Sequence, residues 1–191
     1  MQKLIRLGID GMEHGSLMNE ETAAMIEERG IYLVPTFSPY EEAVHYDPER
    51  LKDKQPEFRR KLELYREALQ AGREVICHSK IRLGYGTDFV AVHQNYESGY
   101  EYEAWMNSGM KPFEALRAAT STNAGILGLE DCIGTVEVGK YADISAWKRD
   151  LMKDPKALLD CAFVMKEGEI YETESCLGEG EDEAILSEVE E

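Results

Sequence analysis

The chain has 191 residues, 43% of them hydrophobic, and a formal net charge of -17. That composition can fill a core, which excludes a chain disordered throughout. The charge excludes a nucleic-acid or anionic-membrane binder, because both need clustered Lys and Arg.

The four cysteines, Cys77, Cys132, Cys161 and Cys176, form no CxxC pair and no zinc-knuckle or disulfide spacing. Reduced thiols in a cytoplasmic protein are the expectation. No apolar run is long enough to span a bilayer, and no signal-type segment follows Met1.

Residues 2–8 read as the last turns of a helix that closes at Gly8, an unusual opening for a domain. A short strand is predicted over 9–14, with a turn at Gly15-Ser16. Asn19 is a good N-cap for a helix to Arg29, with Glu20 and Glu21 near its positive end. Gly30 ends that helix, and Ile31–Val34 is apolar and β-branched enough for a buried strand, stopped by Pro35. Strand, helix and strand at this spacing make a βαβ unit with parallel strands. The stretch 38–55 is long for a loop; Tyr40, His45 and Tyr46 in it can contact a substrate or sit on an exposed helical insertion. Asp47-Pro48 and Pro56 read as helix starts. Phe58, Leu62, Tyr65 and Leu69 then recur at helical spacing, predicting an amphipathic helix to Gly72. Cys77 and His78 fall in an irregular stretch before a strand over 81–88.

Two helices follow, Tyr100–Asn107 and Pro112–Ala119, the second continuing to Leu127. After Gly128 the periodicity becomes that of strands. Hairpins are predicted around Gly139-Lys140 (133–138 with 141–147) and around Glu167-Gly168 (163–166 with 169–171). After Lys166 the chain has no Lys or Arg, and 174–191 reads as a solvated acidic tail. The expected division is 1–128, 129–173 and 174–191.

Polar residues at the carboxyl ends of parallel strands face the substrate in α/β barrels. His14 ends the first predicted strand and Asp88 the third. Imidazole and carboxylate are both zinc ligands, and a metal lowers the pKa of bound water toward ~7. A strand-end His can equally be a structural hydrogen-bonding residue, and an Asp in a Gly-Thr-Asp turn can be a capping group.

The order Glu13-His14-Gly15-Ser16, Tyr32–Thr36, Gly86-Thr87-Asp88, Pro112–Thr120, Asn123-Ala124 and Ile133–Asp143 resembles the amidohydrolase superfamily. The resemblance covers roughly residues 3–172 and is greatest to its imidazolonepropionase-like and Xaa-Pro dipeptidase-like branch. It implies an α/β fold: strands six to eight of a (β/α)8 TIM-type barrel over 1–128, then part of a small β-sandwich over 129–173. It implies a hydrolase of amide-like C–N bonds in small molecules, with Zn2+ as one or two ions. It also implies that His14 and Asp88 are metal ligands and that Asp88 moves the proton. His93, Tyr32 and Thr36 are candidate pocket-lining residues, with a loop histidine, core packing and a loop hydroxyl as their plainer readings. The family's His-x-His pair, its bridging lysine or glutamate and its fifth-strand histidine have no counterpart in this sequence. Their absence leads to three readings. The first is a fragment of an enzyme whose N-terminal half is encoded elsewhere or lost. The second is a non-catalytic structural or regulatory module that folds alone or as a homo-oligomer. The third is a binder of one metal or small ligand through His14 and Asp88 without turnover. The chain by itself is expected to show no turnover.

Overall fold

Three short strands, β1 (Gly11–Glu13), β2 (Tyr32–Val34) and β3 (Arg82–Leu83), lie side by side in that order, and both pairs are parallel. The structure, a computed structural model, describes residues 1–45, 49, 51–52, 55–88 and 99–173. His93, Tyr46 and the acidic tail lie outside the described residues.

Side chains alternate across the sheet. Met12, Leu33 and Leu83 share one face and join a core with Ile5, Ile26, Ile76 and Trp105, where Leu33 is fully buried. Burying each such side chain stabilises the fold by about 1.5–3 kcal/mol. The opposite face carries Gly11, Tyr32 and Arg82, with the Arg82 guanidinium 5.8 Å from the centre of the Tyr32 ring.

The helices cover the apolar face. Following α1 (Gln2–Leu7), α2 (Glu20–Arg29) is capped as expected: the Asn19 side chain accepts from the Thr22 amide at 2.9 Å, and Gly30 closes it in the left-handed region. The segment after β2 makes one 3-10 turn over Ser38–Tyr40, then α3 (Glu41–Val44).

α4 spans Pro56–His78, which corrects two expectations. The helix does not stop at Gly72, and Cys77 and His78 form its last turn rather than an irregular stretch. Gly72 is needed for close packing, not for termination. A Cβ there would sit 2.3 Å from the Ser16 carbonyl oxygen and 2.9 Å from the Met18 nitrogen. Cys77 is a burial-raised thiol, pushed up to about 11 and so not a thiolate nucleophile.

β3 is shorter than the predicted strand over 81–88; beyond Leu83 the chain leaves the regular ladder. α5 (Tyr100–Asn107) matches expectation. α6 (Pro112–Arg117) runs through a π-turn at Ala118–Thr122 into α7 (Asn123–Leu127). The π-turn resets the helical phase just before Asn123. The Asn123 side chain then meets the Tyr85 backbone, accepting from its N–H at 2.9 Å and donating to its C=O at 2.8 Å. One amide side chain thus supplies the pair of hydrogen bonds that a further strand would make.

The C-terminal part holds a second, antiparallel sheet of β4 (Ile144–Trp147), β5 (Cys161–Lys166) and β6 (Glu169–Thr173). The hairpin at Glu167-Gly168 forms as predicted, with both turn residues at positive φ, the backbone that a tight two-residue turn needs. The hairpin predicted around Gly139-Lys140 does not form. β4 pairs with β5 instead, and Val136 and Val138 point into solvent at 83% and 108% exposure. Their alternation has no apolar surface to pack on among the described residues, so periodicity alone does not make a strand there.

Polar burial is concentrated after β2. The Glu101 carboxylate, wholly buried on α5, accepts from the backbone N–H of Phe37 (2.9 Å) and Ser38 (2.7 Å) and from the Trp105 indole (2.9 Å). Arg73 of α4 donates to the Phe37 carbonyl at 2.9 Å, pairs with Glu41 and lies over the Phe37 ring at 4.7 Å. Desolvation pushes the Glu101 carboxyl up to about 7, against the pull of its hydrogen bonds.

Two expected outcomes follow from this packing. Gly72→Ala should gain about 1 kcal/mol of helix propensity. It should lose more to the collision with the Ser16 backbone, a net destabilisation of about 1–3 kcal/mol. Urea denaturation measures it, and an increased midpoint would show that the helix and loop are not in close contact. For Glu101, the native chain holds the proton to higher pH than the unfolded chain. The stability from this proton is therefore fully present below about pH 4.5 and lost as pH rises through about 7. Comparing wild type with Glu101→Gln at pH 5 and pH 8 should show a larger fall in the wild type, on the order of 3 kcal/mol at most. Parallel pH profiles would remove Glu101 from the titration.

Candidate functional site

Because the three strands are parallel, the segments that follow them emerge on one edge of the sheet. His14 directly follows β1, and its backbone N–H extends the ladder to the Val34 carbonyl at 2.9 Å. Thr36 follows β2 and Asp88 follows β3. The His14 Nε2 and Asp88 Oδ2 atoms stand 3.9 Å apart, with side chains 47% and 60% exposed. His14 Nδ1 lies 2.8 Å from the Thr36 hydroxyl. In the neutral tautomer in which Nδ1 donates to that oxygen, the Nε2 lone pair is the one on the side of Asp88.

The backbone singles out the same two residues. Among the described residues the non-glycine positions at positive φ are His14 (64°), Asp88 (47°) and Glu167 (53°). Glu167 belongs to the β5–β6 turn. His14 and Asp88 are not in a hairpin, and a left-handed conformation costs such residues of order 1–3 kcal/mol. The surrounding contacts hold both in this strained form, and strain of this kind concentrates at functional sites.

The structure brings His14, Thr36 and Asp88 together. It does not bring Tyr32 to them. Tyr32 pairs in register with Gly11 and Arg82 at the opposite end of β2. In the loop after Thr36, Tyr40 lines a groove with Ser16, Leu17, Phe58 and Tyr65, while His45 turns back to Glu41 at 3.6 Å. His78 lies in the last turn of α4, with Nδ1 2.8 Å from the Glu74 carbonyl. Among the described residues no group of three or more His, Cys, Asp or Glu could hold a metal ion.

Sequence reading missed the residues that support the site. Ser38 donates to the Thr87 carbonyl at 3.1 Å, and Asn123 holds Tyr85 three residues before Asp88. Glu101 was missed because a lone helical acid usually faces water. The available signal was its position four residues before Trp105, on the face that must be apolar.

Among the described residues no helix is long and apolar enough to cross a membrane. A model of the amidohydrolase family matches residues 1–173. Among solved structures the chain is similar to a Xaa-Pro dipeptidase with methionine bound in its active site. That match has 30% identity and a TM-score of 0.76, over 90% of this chain and 42% of the other. An amidohydrolase structure matches at 27% identity and a TM-score of 0.73, over 89% of this chain and 41% of the other. The ochratoxinase of A. niger shares the fold at 23% identity and a TM-score of 0.72, over 90% and 39%. The chain spans less than half the length of each of these structures. No curated protein sequence matches it significantly. With a family match across nearly all its described length, and a parallel sheet gathering a histidine and an aspartate at one edge, the chain belongs to the amidohydrolase family.

Proposed function

We propose that this chain carries part of the active site of a metal-dependent hydrolase that cleaves amide-like C–N bonds in small molecules. His14 and Asp88 are its contribution to metal binding, and Asp88 carries the proton. The observation that supports this most is the convergence of His14 Nε2 and Asp88 Oδ2 at one sheet edge, both on left-handed backbone. Residues 1–128 then correspond to strands six to eight of a (β/α)8 barrel, and 129–173 to part of a β-sandwich. On that reading the sheet face bearing Gly11, Tyr32 and Arg82 looks into the barrel, where side chains fill the interior in layers. His93 and Thr36 are the proposed pocket residues, Thr36 acting chiefly through the His14 ring.

The donor set fits a divalent ion. Imidazole nitrogen and carboxylate oxygen are the ligand types of catalytic zinc, and a second partner on the imidazole fixes its tautomer as metal sites require. When bound, the ion supplies Lewis-acid activation of water and of the scissile carbonyl. Asp88 accepts the proton as water oxygen joins the carbonyl carbon, then delivers it to the amine nitrogen as the C–N bond breaks. His14 holds its ring in place through Thr36. A small peptide-like amide is the substrate class closest to the dipeptidase relative. Two protein donors are fewer than the three of a catalytic zinc site, so the remaining donors lie outside the described cluster. The same observation supports a second reading, a ligand-binding module without turnover.

Zinc titration by calorimetry on the full chain tests the proposal. His14→Ala and Asp88→Asn should each weaken binding about tenfold or more. Asn tolerates the left-handed backbone, so Asp88→Asn should keep the fold and leave the far-UV circular dichroism unchanged. Wild-type affinity in both variants would overturn the metal assignment. In any assembly that turns over, Asp88→Asn should lower kcat by about 10²–10⁴. Near-normal kcat would remove Asp88 from proton transfer.

A further inference from the structure

Glu101 takes no part in the chemistry proposed for the site, yet its partners lead directly to both halves of it. Its carboxylate oxygens receive three donors, two of them the consecutive backbone N–H groups of Phe37 and Ser38. The residue before that pair is Thr36, whose hydroxyl meets His14 Nδ1. The second residue of the pair is Ser38, whose hydroxyl donates to the carbonyl of Thr87, the neighbour of Asp88. We propose that Glu101 is a positioning residue: by clamping the Phe37-Ser38 backbone it sets the His14 ring through Thr36 and the Asp88 backbone through Ser38 and Thr87.

A glutamine could not do this as well. All three partners are donors, and they are divided between the two carboxylate oxygens: Phe37 N–H and the indole on one, Ser38 N–H on the other. A glutamine offers one oxygen and must turn its NH2 toward a donor. Burying a full carboxylate is costly and is sustained only where every oxygen is satisfied. A bond made only for packing would not need to end on the segment that bears Thr36 and Ser38. Asn123 holds the same arm at Tyr85, and the Ser38 contact holds it two residues later at Thr87, beside Asp88.

The inference rests on the reading of His14 and Asp88 as the reacting site, but its test requires neither metal nor turnover, so the two can fail separately. The test is heteronuclear NMR on the metal-free full chain. Glu101→Gln should speed exchange of the Ser38 amide roughly tenfold or more. It should also move the amide resonances of Thr36, Thr87 and Asp88 and the ring resonances of His14. Tyr102→Phe is the control: it removes a hydrogen bond from the same helix to the Leu151 carbonyl, which bonds none of Thr36, Thr87, Asp88 and His14, and should leave those resonances in place. Changes in Glu101→Gln confined to Phe37, Ser38 and Trp105, with His14 and Asp88 no more affected than in the control, would overturn the proposal. Should Glu101→Gln not fold, Ser38→Ala keeps the backbone clamp and removes the hydroxyl, which bonds to the Thr87 carbonyl and also reaches the Glu101 carboxylate. It should shift Thr87 and Asp88 more than Thr36 and His14, and unshifted Thr87 and Asp88 would equally overturn it.

Discussion

The peptide unit at Phe37 is the point on which the arrangement turns. Its N–H is held by a buried carboxylate, its C=O by a buried guanidinium, and its ring lies against Arg73 and Trp105. An acid from α5 and an arginine from α4 are taken out of water against this one short stretch of chain. Such burial is tolerated because each group is satisfied several times over: Glu101 by three donors, Arg73 by Glu41 and a carbonyl. The interaction ties α4 and α5 to the segment leaving β2, so the helices that pack the sheet also fix what emerges from its edge.

That constraint explains how exposed groups can be well placed. His14 and Asp88 are about half exposed, and their approach at 3.9 Å would contribute little as a surface ion pair. They do not hold each other. Each is held from behind, His14 by Thr36 and Asp88 by a backbone secured at Tyr85 and Thr87. Both also bear left-handed backbone, an unfavourable conformation maintained by surrounding contacts. Half-exposed polar ends on a backbone held from behind are consistent with the proposed site.

The C-terminal module follows a different logic. Its sheet is antiparallel and local, with β4–β5–β6 joined by a tight turn and by a short 3-10 segment, Pro155–Leu159. Tyr102 of α5 reaches the Leu151 carbonyl at 3.0 Å and links it to the helical layer. Among the described residues it contributes no partner to the His14 ring.

Much of the architecture was legible in the residues themselves. Asn19, Gly30 and Pro56 mark helix ends because capping and proline geometry are local. Glu167-Gly168 marks a hairpin because positive φ at both turn positions is also local. His14 and Asp88 stand out as candidates because chemistry-bearing residues contrast with the apolar strands before them, and the structure adds their approach at 3.9 Å. Where one residue type serves two purposes, only the tertiary structure decided. Gly72 could stop a helix or admit a neighbouring loop, and the Ser16 carbonyl settled that it does the second. The alternation at Val136 and Val138 could not show whether a surface waits to receive it. Tyr32 is on β2 itself, and its register puts it at the end away from His14, Thr36 and Asp88, which follow the strands. Glu101, Ser38 and Asn123 act across 63, 49 and 38 positions of chain. Hydrogen bonds over such separations leave no periodic trace, because burial and partnership exist only once the helices have closed over the sheet.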